Sequence, residues 1–330
     1  MRVPQRNYRL TVVVPTRNRM HSVVRLLENM CSQTLSPDAF EVVIVDDGSV
    51  PSLDEPTITR GLPFAASVIR RTSAPGAHAS RFAGLREARG ERVLFLDDDV
   101  LLEPDVLTEH SGKTGVFAIG PILYHPDAKK TAYQRYQTKR YSDHAAATGI
   151  KKQILASEIY ICNSSGPREL FIAAFEAVDS RVRGMSVPGD GMDEELLSYE
   201  LRGAEGCIAF LPRALILHLD TKTIREVRRE KQHRAQVQCR LILQIPGLTP
   251  SFPLMATSHR KFVVRLFWKI PGMFRLIADL FVLVADLPGQ WVPKWICYPP
   301  LAIAFWEGIN SVVPRYEQLS MALRDNSEAK

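Results

Sequence analysis

Arg92-Val93-Leu94-Phe95-Leu96-Asp97-Asp98-Asp99 reads as a buried-type strand that runs into three consecutive carboxylates. Like charges a few ångström apart raise one another's pKa unless a cation neutralises them, so this turn invites a metal ion. Hard oxygen ligands from one short turn leave coordination positions open, which suits Mg²⁺ or Mn²⁺ bridging to a diphosphate better than a closed protein cage. Taken alone, the triplet reads better as a solvated acidic turn capping a helix that starts near Pro104. Its neighbours decide between the two.

Moving toward the N-terminus, residues 79–88 carry a helical pattern closed by Gly90, and 68–71 form a short strand. Residues 41–45 are a second buried-type strand that stops at Asp46-Asp47-Gly48-Ser49, a turn-forming cluster. Residues 10–14 are a β-branched run ended by Pro15, and 22–30 place apolar residues at helical spacing. Strands alternating with helices in this way predict crossover units, an α/β class and a mainly parallel sheet. Ligands then gather beyond the carboxyl ends of the strands, where both acidic clusters fall. Toward the C-terminus the pattern loosens over residues 116–219, with a helix predicted over 193–201 and a strand over 207–211. Residues 246–253, rich in proline and turn formers, mark a boundary before a final segment that mixes aromatic and basic side chains.

The 330 residues, 45% hydrophobic and 24% charged, have the proportions of a globular enzyme rather than a disordered or fibrous chain. A net charge of +6 favours anionic partners such as nucleotide phosphates or acidic lipid. No helix-turn-helix, zinc finger or RNA-recognition signature appears, so nucleic acid is not the expected partner. Cys31, Cys162, Cys207, Cys239 and Cys297 are scattered and never form a CxxC pair, which suggests neither a zinc site nor a disulfide framework and fits a reducing interior. The apolar run after Leu10 is too short for a signal-peptide core, and no window reaches the ~18 apolar residues of a spanning helix. A cytoplasmic location is therefore expected, with peripheral contact at the inner face of the cell membrane as its extension.

Four segments together resemble family 2 glycosyltransferases of the GT-A fold: Thr11-Val-Val-Val-Pro15-Thr-Arg-Asn18, Val43-Ile-Val-Asp46-Asp47-Gly48-Ser49, Gly76 to Gly84, and Phe95-Leu-Asp97-Asp-Asp99. Their order and spacing match that family, strongly over residues 10–102 and more loosely to His218. The resemblance implies a catalytic domain over 1–240, with a nucleotide-binding half at about 8–102 and an acceptor half at about 103–220. A helical, aromatic and basic extension follows over 241–330. It implies an inverting enzyme that moves a sugar from a nucleotide diphosphate sugar, UDP-sugar by default, to a hydroxyl of a saccharide or lipid-linked saccharide.

By the same resemblance Pro15, Thr16, Arg17, Asp46 and Asp47 hold the nucleotide, and Arg81 lies near the diphosphate, where a guanidinium pairs with phosphate oxygens. The family's pattern places Asn after that arginine, whereas this chain has Phe82. Asp97 points to the ribose or donor sugar, Asp98 lies beside it, and Asp99 is the direct metal ligand for Mn²⁺ or Mg²⁺. His218, after the strand-like Leu215-Ile-Leu, is a further expected ligand. Gly189-Asp190-Gly-Met-Asp193-Glu194-Glu195-Leu196 resembles the family's acidic motif at a helix start, which gives Asp193 or Glu194 as the base that takes the acceptor's proton. Cys162-Asn163-Ser164 and Asp179 resemble the segment lining the sugar and acceptor side, with Asn163 reading equally as a turn residue.

In the C-terminal extension, Arg265, Lys269 and Arg275 alternate with Phe262, Phe267, Trp268, Phe274 and Phe281. That pattern suits an interfacial helix on a membrane, or equally helices packed on the domain or on a second subunit in a homo-oligomer. Two other classes compete: a binding module without activity, and a nucleotidyltransferase. The second opens with a glycine-rich phosphate loop, and residues 15–19 contain no glycine.

Overall fold

The computed structural model describes residues 8–73, 76–112, 117–126, 131–149, 160–183, 193–201, 208–219, 222–245, 266, 269–285, 287 and 292–313. In chain order the first elements are β1 Leu10–Thr16, α1 Met20–Met30, β2 Phe40–Asp46, α2 Glu55–Thr59, β3 Ala65–Arg70, α3 Ala77–Glu87 and β4 Arg92–Phe95. Then come β5 Val100–Leu102, α4 Val106–Ser111, β6 Phe117–Ile119, β7 Ile122–Tyr124, α5 Ala132–Gly149, β8 Ser164–Pro167, α6 Arg168–Val182, α7 Asp193–Glu200, β9 Ile208–Phe210 and β10 Ile216–His218. Three helices complete the described chain: α8 Ile224–Gln244, α9 Pro271–Ala285 and α10 Tyr298–Val312. Contacts divide it into two compact units. The first comprises Met1–Pro126, Arg140–Gly184 and Asp193–Asp220; the second comprises Asp127–Lys139, Met185–Met192 and Thr221–Lys330.

The first unit is built on a seven-stranded sheet in the order β3-β2-β1-β4-β8-β6-β9. β1 pairs parallel with β2 and β4, β2 pairs parallel with β3, and β8 runs antiparallel between β4 and β6. This is the expected α/β class with a mainly parallel sheet. Alternation along β1 and β2 explains how both faces are covered, since successive side chains of a strand point to opposite sides. Val12, Val14, Val42 and Ile44 meet Val23, Leu26, Leu27 and Met30 of α1 on one face. Val13, Val43, Val45 and Phe95 meet Phe82 and Leu85 of α3, with Phe171 and Phe175 of α6, on the other. Pro15 is tolerated in a central strand because the β1–β4 ladder has ended at the Val13 and Phe95 pair before it.

Gly90 does not close α3 as a left-handed cap; the helix ends at Ala88 in extended conformation. Instead Gly90 lies against β1, where an added Cβ would sit 2.6 Å from the Thr11 nitrogen, and its own N–H donates to Thr11 Oγ1 at 2.8 Å. A smaller sheet, β5-β10-β7, pairs β10 antiparallel with β5 and parallel with β7.

In the second unit α8 begins with a capping box. The Thr223 hydroxyl accepts from the Glu226 N–H at 3.3 Å, and the Glu226 carboxylate accepts from the Thr223 N–H at 2.7 Å. α10 packs on α8 at Gly308, whose missing Cβ would lie 2.2 Å from the Gln232 carbonyl oxygen. Phe262, Arg265, Phe267, Trp268 and Trp291 lie outside the described residues. Among the described residues no helix is long and apolar enough to cross a membrane.

Candidate active site

β1, β2 and β4 run parallel and finish together, so Thr16, Asp46 and the turn after Phe95 emerge at one edge. Pro15 and Thr16 close β1, and Arg17 beside them is exposed. The buried Asp46 carboxylate accepts backbone N–H groups from Ser49 at 2.8 Å and Leu53 at 3.1 Å. Burial works to raise its pKa, but the hydrogen bonds from Ser49 and Leu53, with Arg70 nearby, outweigh it and hold the pKa below the usual carboxylate value. Asp47 accepts from the Gly76 N–H at 2.8 Å and pairs with Arg71, which ties the loop ahead of α3 to the end of β2. Asn18 laces the first loop to the second: its N–H donates to Ser49 Oγ and its side-chain oxygen accepts from the Val50 N–H, both at 2.8 Å.

The three aspartates after β4 face different ways. Asp97 receives Arg81 Nη2 at 2.9 Å, delivered from the sheet-facing side of α3. Burial would raise its pKa, yet Arg81, His218 and a hydrogen bond from Cys162 bring it below the usual value and keep it ionised. Asp98 turns inward, where Thr16 Oγ1 donates to it at 2.6 Å and Arg19 Nη1 at 3.1 Å. Burial and the adjoining Asp99 charge push its pKa up despite those donors. Asp99 takes the same Arg19 nitrogen at 2.8 Å.

His218 reaches this turn through strand pairing. In the antiparallel β5–β10 register it stands opposite Val100, and the Leu219 N–H donates to the Asp99 carbonyl at 2.8 Å. Its Nε2 lies 3.5 Å from Asp99 Oδ1. Asp97, Asp99 and His218 can each offer one ligand atom with all three atoms inside 4.8 Å of one another. Two carboxylate oxygens and an imidazole nitrogen converging on one point can hold a divalent cation with positions left open for another ligand. Arg19 and Arg81 flank that point with positive charge suited to a phosphate.

Four of the expected residues, Asp97, Asp98, Asp99 and His218, are thus brought together, with Arg81 against them and Thr16 and Asp46 on the same edge. Asp193 and Glu194 open α7, but their side chains lie outside the described residues, as does Asp190. Asn163 is the turn residue of its two readings. It is fully buried with φ of 63°, and its amide donates to the Pro121 and Ala214 carbonyls at 3.0 and 2.8 Å. Asp179 lies beside His78 Nε2 at 3.1 Å. Arg19 is the residue that sequence reasoning missed. Arg17 carries the motif resemblance, yet Arg19, two positions on at the cap of α1, is the one that reaches the aspartates.

The profile described as glycosyl transferase family 2 matches residues 11–171. An uncharacterized glycosyltransferase of Haemophilus influenzae is 40% identical over 96 residues, 29% of this chain and 31% of the relative. A second from Bacillus subtilis is 29% identical over 133 residues, 40% of this chain and 47% of the relative. The chain therefore spans less than half the length of either. The fold is similar to that of a mannosyltransferase from Pyrobaculum calidifontis solved in complex with GDP-Man and Mn²⁺, with a TM-score of 0.51 at 18% identity over 98% of this chain and 85% of that one. The acidic edge, the covered parallel sheet and the profile match agree: residues 11–171 match glycosyl transferase family 2, on a fold similar to GT-A.

Proposed function

We propose that the chain transfers a sugar, with inversion, from a nucleotide diphosphate sugar to the hydroxyl of a saccharide or lipid-linked saccharide. The observation that carries this reading is the convergence of Asp97, Asp99 and His218 at the edge where Asp46 also stands. The mixed oxygen and nitrogen donor set fits Mn²⁺, with Mg²⁺ held mainly through the carboxylates. When bound, such a cation offsets negative charge on the departing diphosphate.

The protein's own residues have separate tasks. Pro15, Thr16 and Arg17 line the nucleotide side, and Asp46, kept ionised by its backbone donors, accepts an imide N–H of the base. Asp47 holds the neighbouring loop in place. Arg81 fixes Asp97 and stands ready for a diphosphate oxygen. Asp98 anchors the turn to Thr16 from inside. Asp193, or Glu194 beside it, removes the acceptor's proton while the acceptor oxygen bonds to the anomeric carbon and the bond to the diphosphate breaks on the opposite face, releasing the nucleoside diphosphate. The N-terminus of α7 favours an ionised carboxylate there. UDP is taken as the donor nucleotide, and the site faces the cytoplasm.

A donor screen with Mn²⁺ tests the reading on wild type, Asp99→Ala and Asp193→Asn. Asp99→Ala should lose metal-supported donor binding, whereas Asp193→Asn should bind donor normally and transfer at least ~100-fold more slowly. Equal transfer by all three proteins would refute it.

A further inference from the structure

Within the second unit, a cavity of about 600 Å³ opens between α8, α9 and α10. Arg225, Arg228 and Arg229 line it from α8, Arg275 and Asp279 from α9, and Glu307 from α10. The acids hold part of this cluster rigid. Glu307, only 6% exposed, accepts from Arg275 Nε at 2.8 Å and lies 3.5 Å from Arg228 Nη2, while Arg228 also pairs with Asp279. Arg225 and Arg229 are exposed and form no ion pair among the described residues. One turn apart, they share a face of α8. Four guanidinium groups against two carboxylates, both already matched to Arg228 and Arg275, leave the mouth positive, with forked donors suited to phosphate oxygens.

The same cavity touches an apolar surface. Leu283 lines its rim and is 62% exposed, and Leu280, Leu276 and Met273 continue from it along the outer side of α9 at 56%, 62% and 45% exposure. Their spacing of three and four residues makes a single stripe roughly 15 Å long. Phe274 does not supply it, since it packs with Ala278, Ile303 and Trp306. A row of flexible aliphatic chains beside a phosphate-sized positive mouth matches the two-layered chemistry of a membrane surface, with headgroup phosphates above and acyl chains below.

We infer that the arginine cavity and the leucine stripe of α9 form a docking site for an anionic lipid. The lipid phosphate sits among Arg225, Arg229 and Arg275, and the stripe dips into the acyl boundary with α9 parallel to the membrane. Lipid docking there does not depend on the transfer chemistry.

Co-sedimentation of the full chain with phosphatidylglycerol vesicles, compared with phosphatidylcholine vesicles, tests it. Wild type should pellet with the anionic vesicles only. The Arg225→Ala/Arg229→Ala double variant removes two exposed side chains and should bind roughly 30-fold more weakly. Leu280→Ser/Leu283→Ser should lose about 10-fold with every charge retained. Asp99→Ala should pellet like wild type, which keeps this result distinct from any failure of the transferase reading. Full binding by the arginine variant, equal pelleting with neutral vesicles, or no pelleting by wild type would overturn the proposal. So would loss of vesicle binding to a few millimolar glycerol phosphate, which would make a free phosphate compound the ligand. A stable dimer in sedimentation velocity that leaves the vesicles behind would assign the stripe to a second copy of the chain.

Discussion

Arg19 donates one guanidinium nitrogen to Asp99 at 2.8 Å, and the same nitrogen lies 3.1 Å from Asp98. The carboxylates of Asp98 and Asp99 raise the arginine's pKa against the cost of its partial burial, so its charge is permanent. A positive side chain thus already occupies one side of the group formed by Asp97, Asp99 and His218. Any divalent cation entering there competes with it.

Arg19→Gln should therefore bind Mn²⁺ more tightly in the absence of nucleotide. Because Arg19 is half exposed, solvent screens the pair, and an ion pair of that kind is worth about 0–1 kcal/mol, so the gain stays within about fivefold. Isothermal titration with MnCl₂ alone reads this directly. Weaker binding in the variant would show that Arg19 supports the cation site instead of opposing it.

A second prediction concerns acid stability. His110 is completely buried between Ser165 Oγ at 2.8 Å from Nδ1 and Asn163 Oδ1 at 3.0 Å from Nε2. Arg92 Nη2 donates to Ser165 Oγ at 3.0 Å and the Asn163 amide nitrogen is spent on two carbonyls, so Ser165 donates to Nδ1 and the ring carries its proton on Nε2. Burial first, and Arg92 second, bring the histidine from 6.5 down to about 4. Below pH ~6.5 the unfolded chain takes up a proton that the fold refuses, so stability falls with pH until about 4, where the folded histidine also titrates. Between pH ~7.5 and ~5 this amounts to about 2 kcal/mol. Urea unfolding at several pH values should show His110→Gln less stable at neutral pH but with a shallower loss on acidification. An unchanged slope would mean the histidine takes up its proton within the fold.

Much of the first third of the chain was readable because β1, β2 and β4 announce themselves, although β5, the three residues after the aspartates, did not. Val12 to Val14 and Val42 to Val45 are apolar on both faces, as a strand covered by helices on each side must be. The aspartates were visible for the same reason, as polar residues placed where an apolar run stops. β8 was not visible. Its sequence, Ser-Ser-Gly-Pro, has no apolar period, yet it lies centrally between β4 and β6. It is held there by the buried hydrogen bonds of Ser165 and by Gly166, whose Cβ would meet Phe117 at 2.4 Å. Arg19 escaped notice because an exposed arginine at a helix start carries no period at all, and only the tertiary approach of the aspartates gives it a role.

Gly84 shows how the sheet dictates the position of Arg81. It lies one turn after Arg81 on α3, and an added Cβ would sit 2.4 Å from Val13 Cγ1 and 2.9 Å from Val45 Cγ2. Both valines are buried and stiff at χ1, so neither can turn aside. Alanine gains about 1 kcal/mol of helix propensity over glycine, while overpacking costs about 1–3 kcal/mol. Gly84→Ala should therefore lower thermal stability modestly and weaken donor binding by moving α3, and with it the 2.9 Å contact from Arg81 to Asp97. A variant as stable as wild type with unaltered donor affinity would show that α3 has room to spare.

The second unit offers a parallel test at Gly308. Here the clash is with main chain: the added Cβ would lie 2.2 Å from the Gln232 carbonyl oxygen, 2.8 Å from Ala235 Cβ and 3.1 Å from the Gln236 nitrogen. A helix carbonyl cannot rotate away without breaking its own ladder, so α8 and α10 would have to separate. Separation would loosen Glu307, the neighbour of Gly308, from Arg228 and Arg275, leaving a buried carboxylate without its partners. The cost of Gly308→Ala should accordingly exceed that of Gly84→Ala and reach roughly 3 kcal/mol or more. Hydrogen exchange should locate the loss in α8 and α10 while β1 and β2 keep their protection. Protection lost equally in β1 and β2 would show that the two units unfold as one.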